Sequence, residues 1–381
     1  MDYLNLGLYI HIPFCYSKCP YCGFYSLANT DNIEKGNYVD AIKREAGIYS
    51  KEYPEILIES IYLGGGTPTT LNGHIISEII QTCYQNFRIK KKIEITIESN
   101  PATFDNKKAE EIIGAGVNRL SIGAQSFDNR LLKKIGRIHD KQEIIKSYSI
   151  ARSTGFRNIN IDLMFGIPDQ KIKQFKKTLE EVVKLHPEHI SLYGLTIEEG
   201  TLFQKFASEG MLSIPSDDTA YNMYQEAIRF LSYWGYEQYE ISNFCLPGKR
   251  CLHNQIYWKN KQYLGIGASS TSYIKKNRFK NISDLQQYIN LLKNNILPIE
   301  SKEILPEEEE MSETIILYLR MMEGIDKKDF LARFGTSLET AFGKQLKILK
   351  KQGLLQENES HYFLTRKGIV LSNQVFLEFL N

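Results

Sequence analysis

A chain of 381 residues is long enough for about two to three domains, since globular domains mostly run to roughly 100–200 residues. Hydrophobic residues at 42%, charged residues at 24%, 26 Gly and 11 Pro exclude collagen-like, disordered and disulfide-scaffold classes. Lys plus Arg (47) nearly balances Asp plus Glu (45), and no long single-sign block gathers the positive charge, so no nucleic-acid partner is expected. The small basic run Lys90 to Lys92 reads as a solvated face. No apolar stretch nears the roughly 18 residues of a membrane helix. Met1 to Ile12 lacks the basic and apolar regions of a secretion signal, so a cytoplasmic protein without membrane insertion is expected.

In chain order, β-rich runs are predicted at Leu8 to Ile12, Ser60 to Leu63, Ile93 to Glu98, Arg119 to Ile122, Asn158 to Phe165 and Ile190 to Leu195. Helical spacing of apolar residues follows in Glu34 to Ser50, Gly73 to Phe87, Asn106 to Ile113, Lys141 to Ser153, Gln170 to Leu185 and Asp217 to Tyr233. Six successive βα crossovers build a parallel sheet, either an open doubly wound sheet or an incomplete, laterally open (β/α)6 barrel. Motif positions favour the barrel, because they fall at strand ends, and the carboxyl ends of parallel strands form the ligand face.

After residue 236 the pattern changes to short aromatic and polar segments, then to an acidic run from Glu303 to Glu310. From Met311 three helices, a turn, Tyr362 to Leu364 and a last helix resemble a winged helix. Its third helix, Leu338 to Lys351, carries scattered Lys and no Arg, which suits packing or a lid better than DNA. The expected division is 1–235 for the βα core, 236–310 for a connecting segment and 311–381 for a C-terminal, mostly helical domain.

Three of the six cysteines, Cys15, Cys19 and Cys22, form a C-x3-C-x2-C run directly after the first strand, while Cys83, Cys245 and Cys251 are dispersed. Three thiolates on one loop can hold three irons of a [4Fe-4S] cluster and leave the fourth open to a small molecule with amino and carboxylate donors. Structural zinc is the competing reading, but it wants four ligands. Leu63-Gly64-Gly65-Gly66-Thr67-Pro68 ends the second strand and matches neither phosphate-binding glycine pattern. Its glycines permit close backbone approach.

With an aromatic beside the last cysteine, these motifs resemble the radical S-adenosylmethionine superfamily, and Tyr9-Ile10-His11-Ile12-Pro13-Phe14-Cys15 is similar to its HemN/HemW group over essentially the whole chain. The resemblance implies S-adenosylmethionine contacts at Tyr9 near the sulfonium, Gly65, Gly66 and Thr67 at the methionyl end, and Glu98, Gln125, Arg137 and Asp162. Arg137 can pair with the methionyl carboxylate, and Glu98 or Asp162 can accept from ribose hydroxyls. It also implies an electron donor such as flavodoxin or ferredoxin.

The dehydrogenase branch of the group, acting on coproporphyrinogen III without oxygen, has a further cysteine two positions after the third. Here Phe24 stands there, and only eight residues precede Tyr9, where that branch has a longer segment. His253-Asn254-Gln255-Ile256-Tyr257-Trp258 instead resembles the H-N-x-x-Y-W signature of the heme-chaperone branch. His253 is then a candidate axial heme ligand. The competing reading makes it a satisfied core residue with Tyr257 and Trp258 as packing. Cys245 and Cys251 could also ligate heme, though isolated cysteines are more often buried fillers. The expectation is a chaperone that binds heme and passes it to an acceptor protein. A porphyrinogen dehydrogenase and a radical tailoring enzyme unrelated to heme are the alternatives.

Overall fold

The computed structural model describes residues 3–380. Met1, Asp2 and Asn381, at the ends of the first and last expected divisions, lie outside the described residues. Six strands, β1 (Leu4–Ile12), β2 (Ile56–Gly65), β3 (Arg88–Ser99), β4 (Arg119–Gln125), β5 (Ile159–Phe165) and β6 (His189–Gly194), lie side by side in chain order. Every neighbouring pair is parallel. Helices at Asn32–Glu52, Gly73–Asn86, Asn106–Gly114, Lys141–Thr154, Ile172–Lys184 and Asp217–Tyr233 alternate with them, as the sequence pattern predicts. β3 starts earlier than expected, so Lys90 to Lys92 lie within it, exposed to solvent.

β1 and β6 do not pair with each other, which makes the barrel laterally open. Residues 236–310, expected as a connecting segment, continue the same sheet at both edges. Tyr263–Ile266 pairs parallel with β1, followed by antiparallel Thr271–Ile274, Asn277–Asn281 and Ile299–Ile304. On the other side Asn243–Cys245 pairs antiparallel with β6, and Glu237–Glu240 with that strand. The result is one mixed 12-stranded sheet with an incomplete (β/α)6 barrel at its centre.

Each barrel strand has period-two chemistry. Leu8, Ile10 and Ile12, Ile61 and Leu63, Ile95 and Ile97, Leu120 and Ile122, Ile159, Ile161 and Leu163, and Ile190 and Leu192 all belong to the main hydrophobic core. The alternate residues are mostly polar and meet one another across the strands: Tyr9 is level with Tyr62, Tyr62 with Thr96, and Thr96 with Arg119. Successive side chains on a strand point to opposite faces. The helices therefore cover the aliphatic face, and the polar face lines the barrel interior. Barrels of this architecture are commonly filled by branched aliphatic layers, so a polar interior marks a ligand cavity.

The C-terminal part has its own core, including Ile315, Phe330, Leu338, Phe342, Leu346 and Leu349. Helices Glu307–Tyr318, Lys327–Phe334 and Leu338–Lys351 precede an antiparallel hairpin of Leu355–Glu357 and His361–Leu364, which matches the winged-helix order. It docks through Arg333, which is held by Glu310 Oε1 of its own first helix (2.6 Å) and donates to the Asn260 carbonyl (2.9 Å), and through Arg320, 4.4 Å above the Trp258 ring.

Those contacts end at a short helix, Leu252–Trp258, that closes the amino-terminal mouth of the barrel. The Glu94 carboxylate from β3 accepts from the backbone N–H groups of Leu252 and His253, both at 3.1 Å, so a barrel residue caps the helix. His253 lies against Tyr62, with ring centroids 5.1 Å apart, and its Nδ1 bonds Ser60 Oγ at 2.8 Å and its Nε2 bonds Tyr257 Oη at 3.1 Å. Gly7 makes room: a Cβ there would sit 3.2 Å from the imidazole. Burial, with Arg119's charge, lowers the His253 pKa to about 3, so the ring is neutral at physiological pH. His253→Ala should destabilise the protein by about 2–4 kcal/mol, because it empties a packed site and orphans Ser60 and Tyr257. Urea unfolding measures the loss, and an unchanged midpoint would contradict the plug.

Candidate cofactor site

The cysteine loop leaves β1 at the opposite, carboxyl-terminal mouth. A two-residue parallel bridge, Phe14–Cys15 with Leu27–Ala28, closes its base. Pro20 packs on Gly136, whose φ of +72° and lack of side chain are both required, since a Cβ would come within 2.3 Å of the proline ring. The Pro20 carbonyl accepts from Phe203 N at 3.0 Å, and Tyr21 packs on the Phe203 ring. The loop is thus held from both sides with its three thiols half-buried.

Thr67 Oγ1 lies 3.4 Å from Cys15 Sγ, and Arg137 Nη1 lies 3.7 Å from Cys19 Sγ. Burial raises the Cys15 pKa, and the Thr67 hydroxyl and Arg137 partly offset it; burial raises Cys22 as well. Among the described residues no three His, Cys, Asp or Glu side chains converge tightly enough for a single metal ion. The other cysteines are packed away: Cys83 donates to the Ile79 carbonyl, Cys251 faces Glu94, and Cys245 is buried in a strand paired on both sides. Phe24 is 71% exposed beside the loop.

The glycine run ties the loop to β2. Gly66 N–H donates to the Ile12 carbonyl and Thr67 N–H to that of Phe14, both at 2.8 Å. A side chain at Gly66 would strike the Pro13 and Phe14 backbone, and Gly65, at φ +110°, faces the His11 ring. Below them Glu98 accepts from Gly65 N–H (3.1 Å) and from Tyr62 Oη (2.7 Å), and Tyr62 stacks on Tyr9. Asp162 accepts from Ser121 Oγ (3.0 Å) and Asn160 Nδ2 (2.7 Å). Gln125, at φ +65°, ends β4 beside a register shift.

Three polar heads gather over Gly123. A Cβ there would meet Asn100 Oδ1 at 2.7 Å, Arg137 Nη2 at 2.9 Å and Gln125 Nε2 at 3.1 Å. Arg137 donates to the Gly123 carbonyl at 3.1 Å, and its Nε is buried without a partner. A buried guanidinium N–H left over in this way calls for a ligand acceptor. Cys19, Thr67, Asn100 and Arg137 line one cavity with Tyr16.

Tyr9, Gly65, Gly66, Thr67, Glu98, Gln125, Arg137 and Asp162 therefore gather at the cysteine mouth and in the interior beneath it. His253 does not join them. It bonds Ser60, and the five residue steps from Ser60 to Gly65 span roughly 16 Å of strand. It is 1% exposed with both ring nitrogens engaged, because the helix that carries it serves as a plug. Tyr62, Asn100, Ser121 and Asn160 were not expected. Each orients a site residue, and the inward parity of Tyr62, Ser121 and Asn160 on their strands was the available signal.

Burial, reinforced by the Asp162 charge, raises the Glu98 pKa to about 7, against the opposing bonds from Tyr62 and Gly65. An acid whose folded pKa exceeds its unfolded value stabilises the fold most below the unfolded pKa, and that contribution is lost as pH rises through the folded one. Glu98→Gln should gain stability relative to the parent between pH 4.5 and about 7, by up to about 3 kcal/mol. Urea midpoints of the ligand-free proteins across that window test it, and a constant difference would refute it.

Residues 9–182 match the model of the radical SAM superfamily, and residues 305–371 match that of the HemN C-terminal domain. The chain is 35% identical over 374 residues to the heme chaperone HemW of Bacillus subtilis, covering 98% of each, and 32% identical to that of Escherichia coli with the same coverage. The solved structure of coproporphyrinogen III oxidase HemN from Escherichia coli, described as a radical SAM enzyme, superposes with a TM-score of 0.87 at 26% identity. That superposition covers 99% of this chain and 90% of HemN. A three-cysteine loop at the mouth of an open polar barrel and likeness along nearly the whole length lead to one conclusion: the chain belongs to the HemW family of the radical SAM superfamily.

Proposed function

We propose that this protein is a heme chaperone: it binds heme and hands it to an acceptor protein, with a [4Fe-4S] cluster on Cys15, Cys19 and Cys22 and S-adenosylmethionine in the barrel. The observation that carries this reading is 35% identity to a heme chaperone over 98% of both chains. Phe24, at the position of the dehydrogenase branch's further cysteine, agrees with it.

Such a cluster supplies one-electron chemistry when bound, and the chain supplies the rest. Arg137 offers its partner-free Nε–H to the methionyl carboxylate. Glu98 and Asp162, each oriented by two donors, accept from ribose hydroxyls. Gly65, Gly66 and Thr67 would hold the methionyl end, Gln125 lies beside Arg137, and Tyr9, on the interior wall, would stand toward the sulfonium. The aliphatic outer face and the rear plug keep water out of the interior. An external electron donor such as flavodoxin or ferredoxin would supply the electron.

Heme binding rests on the family likeness and not on His253. A ring with both nitrogens bonded inside the barrel would have to leave its helix's seat to reach iron, so His253 is read as a plug residue. No described helix is long and apolar enough to cross a membrane.

Anaerobic reconstitution should give four irons per chain in the parent and in Cys83→Ala, and none in Cys15→Ala, Cys19→Ala or Cys22→Ala; a full cluster in all three loop variants would sink the assignment. The reconstituted parent should bind heme and should not turn over coproporphyrinogen III. Turnover would favour the dehydrogenase, and absence of heme affinity a tailoring enzyme. Folded His253→Ala should bind heme with an unaltered Soret band.

A further inference from the structure

We infer that Thr67, held by Asn100, is a positioning residue that raises the reduction potential of the cluster through Cys15; the inference rests on the cofactor reading above. The family likeness accounts for Thr67 through the methionyl end, but its hydroxyl is aimed at sulfur. Thr67 Oγ1 is 3.4 Å from Cys15 Sγ and accepts from Asn100 Nδ2 at 2.7 Å. A cysteine bound to iron is a thiolate and has no proton to give. Asn100 donates to the Thr67 oxygen, so the Thr67 O–H stays free to donate, and the thiolate sulfur 3.4 Å away is the acceptor beside it.

Both partners are fixed. Thr67 is 1% exposed, its N–H is bonded to the Phe14 carbonyl at 2.8 Å, and its own carbonyl accepts from Thr70 Oγ1 at 2.8 Å. The Asn100 backbone carbonyl accepts from Thr103 Oγ1 at 2.6 Å, and Thr103 bonds Thr69 at 2.6 Å. Buried hydroxyls thus fix the Asn100 main chain, its side-chain amide reaches the Thr67 hydroxyl from there, and the hydroxyl meets the thiolate where little water can replace it. Hydrogen bonds to cluster sulfurs stabilise the more negative, reduced state, which raises the potential.

Redox titration of the reconstituted cluster by electron paramagnetic resonance, without S-adenosylmethionine, tests this on the parent, Thr67→Val, Thr67→Ser and Asn100→Ala. Thr67→Val should lower the equilibrium constant for reduction about tenfold, about 59 mV for a one-electron couple. Thr67→Ser, which keeps the hydroxyl, should stay with the parent, and Asn100→Ala should fall part of the way. A Thr67→Val cluster with four irons and the parent potential overturns the inference, as does a Thr67→Ser drop equal to that of Thr67→Val. Should Thr67→Val fail to assemble, Asn100→Ala decides: a parent-like potential overturns the inference. A parent that assembles no four-iron cluster overturns the cofactor reading itself.

Discussion

Everything in this molecule depends on the alternation of aliphatic and polar residues along six parallel strands. Isoleucine and leucine on one face bind the crossover helices, and burying each such side chain contributes about 1.5–3 kcal/mol. The other face is thereby freed from the task of stability. It carries Glu98, Arg119, Ser121, Asn160, Asp162 and His189, which hold one another by hydrogen bonds and charge rather than by packing. Arg119 shows what this arrangement tolerates: it is 2% exposed, with Nε unpartnered, and the Glu94 carboxylate supplies an opposite charge.

The two mouths of the barrel are finished differently. At the rear, Glu94 and Ser60 hold a helix whose other end contacts the C-terminal domain, so that domain's docking helps to close the interior. At the front, the cysteine loop is clamped by the glycine run, by Gly136 and by Phe203, and Cys19 lines the polar cavity. Tyr62 spans the interior between them: it stacks on His253 and donates to Glu98.

Much of this was legible in the sequence because it is local. The βα order, the C-x3-C-x2-C loop after β1 and the Gly-Gly-Gly-Thr run after β2 depend on neighbouring residues, and strand polarity then brings their ends together. Long-range pairing was not legible. Tyr263–Ile266 joins β1 across some 250 residues of chain, and Ile299–Ile304, mostly exposed, has no apolar pattern to betray a strand. His253 was ambiguous for the same reason, because its decisive partner, Ser60, lies 193 residues away. Asn100 was visible as a strand-end residue beside Glu98, but only the fold aims it at Thr67.

On the reading proposed above, the polar interior next to the three-cysteine loop receives S-adenosylmethionine at an iron the protein leaves open. A crystal structure of the anaerobically reconstituted protein with S-adenosylmethionine tests it most directly. The account predicts three cysteine ligands, the cofactor's amino and carboxylate groups on the fourth iron, and its adenosine inside the barrel beside Glu98, Gln125 and Asp162. A fourth protein ligand on the cluster, or a cofactor bound outside the polar interior, would contradict it.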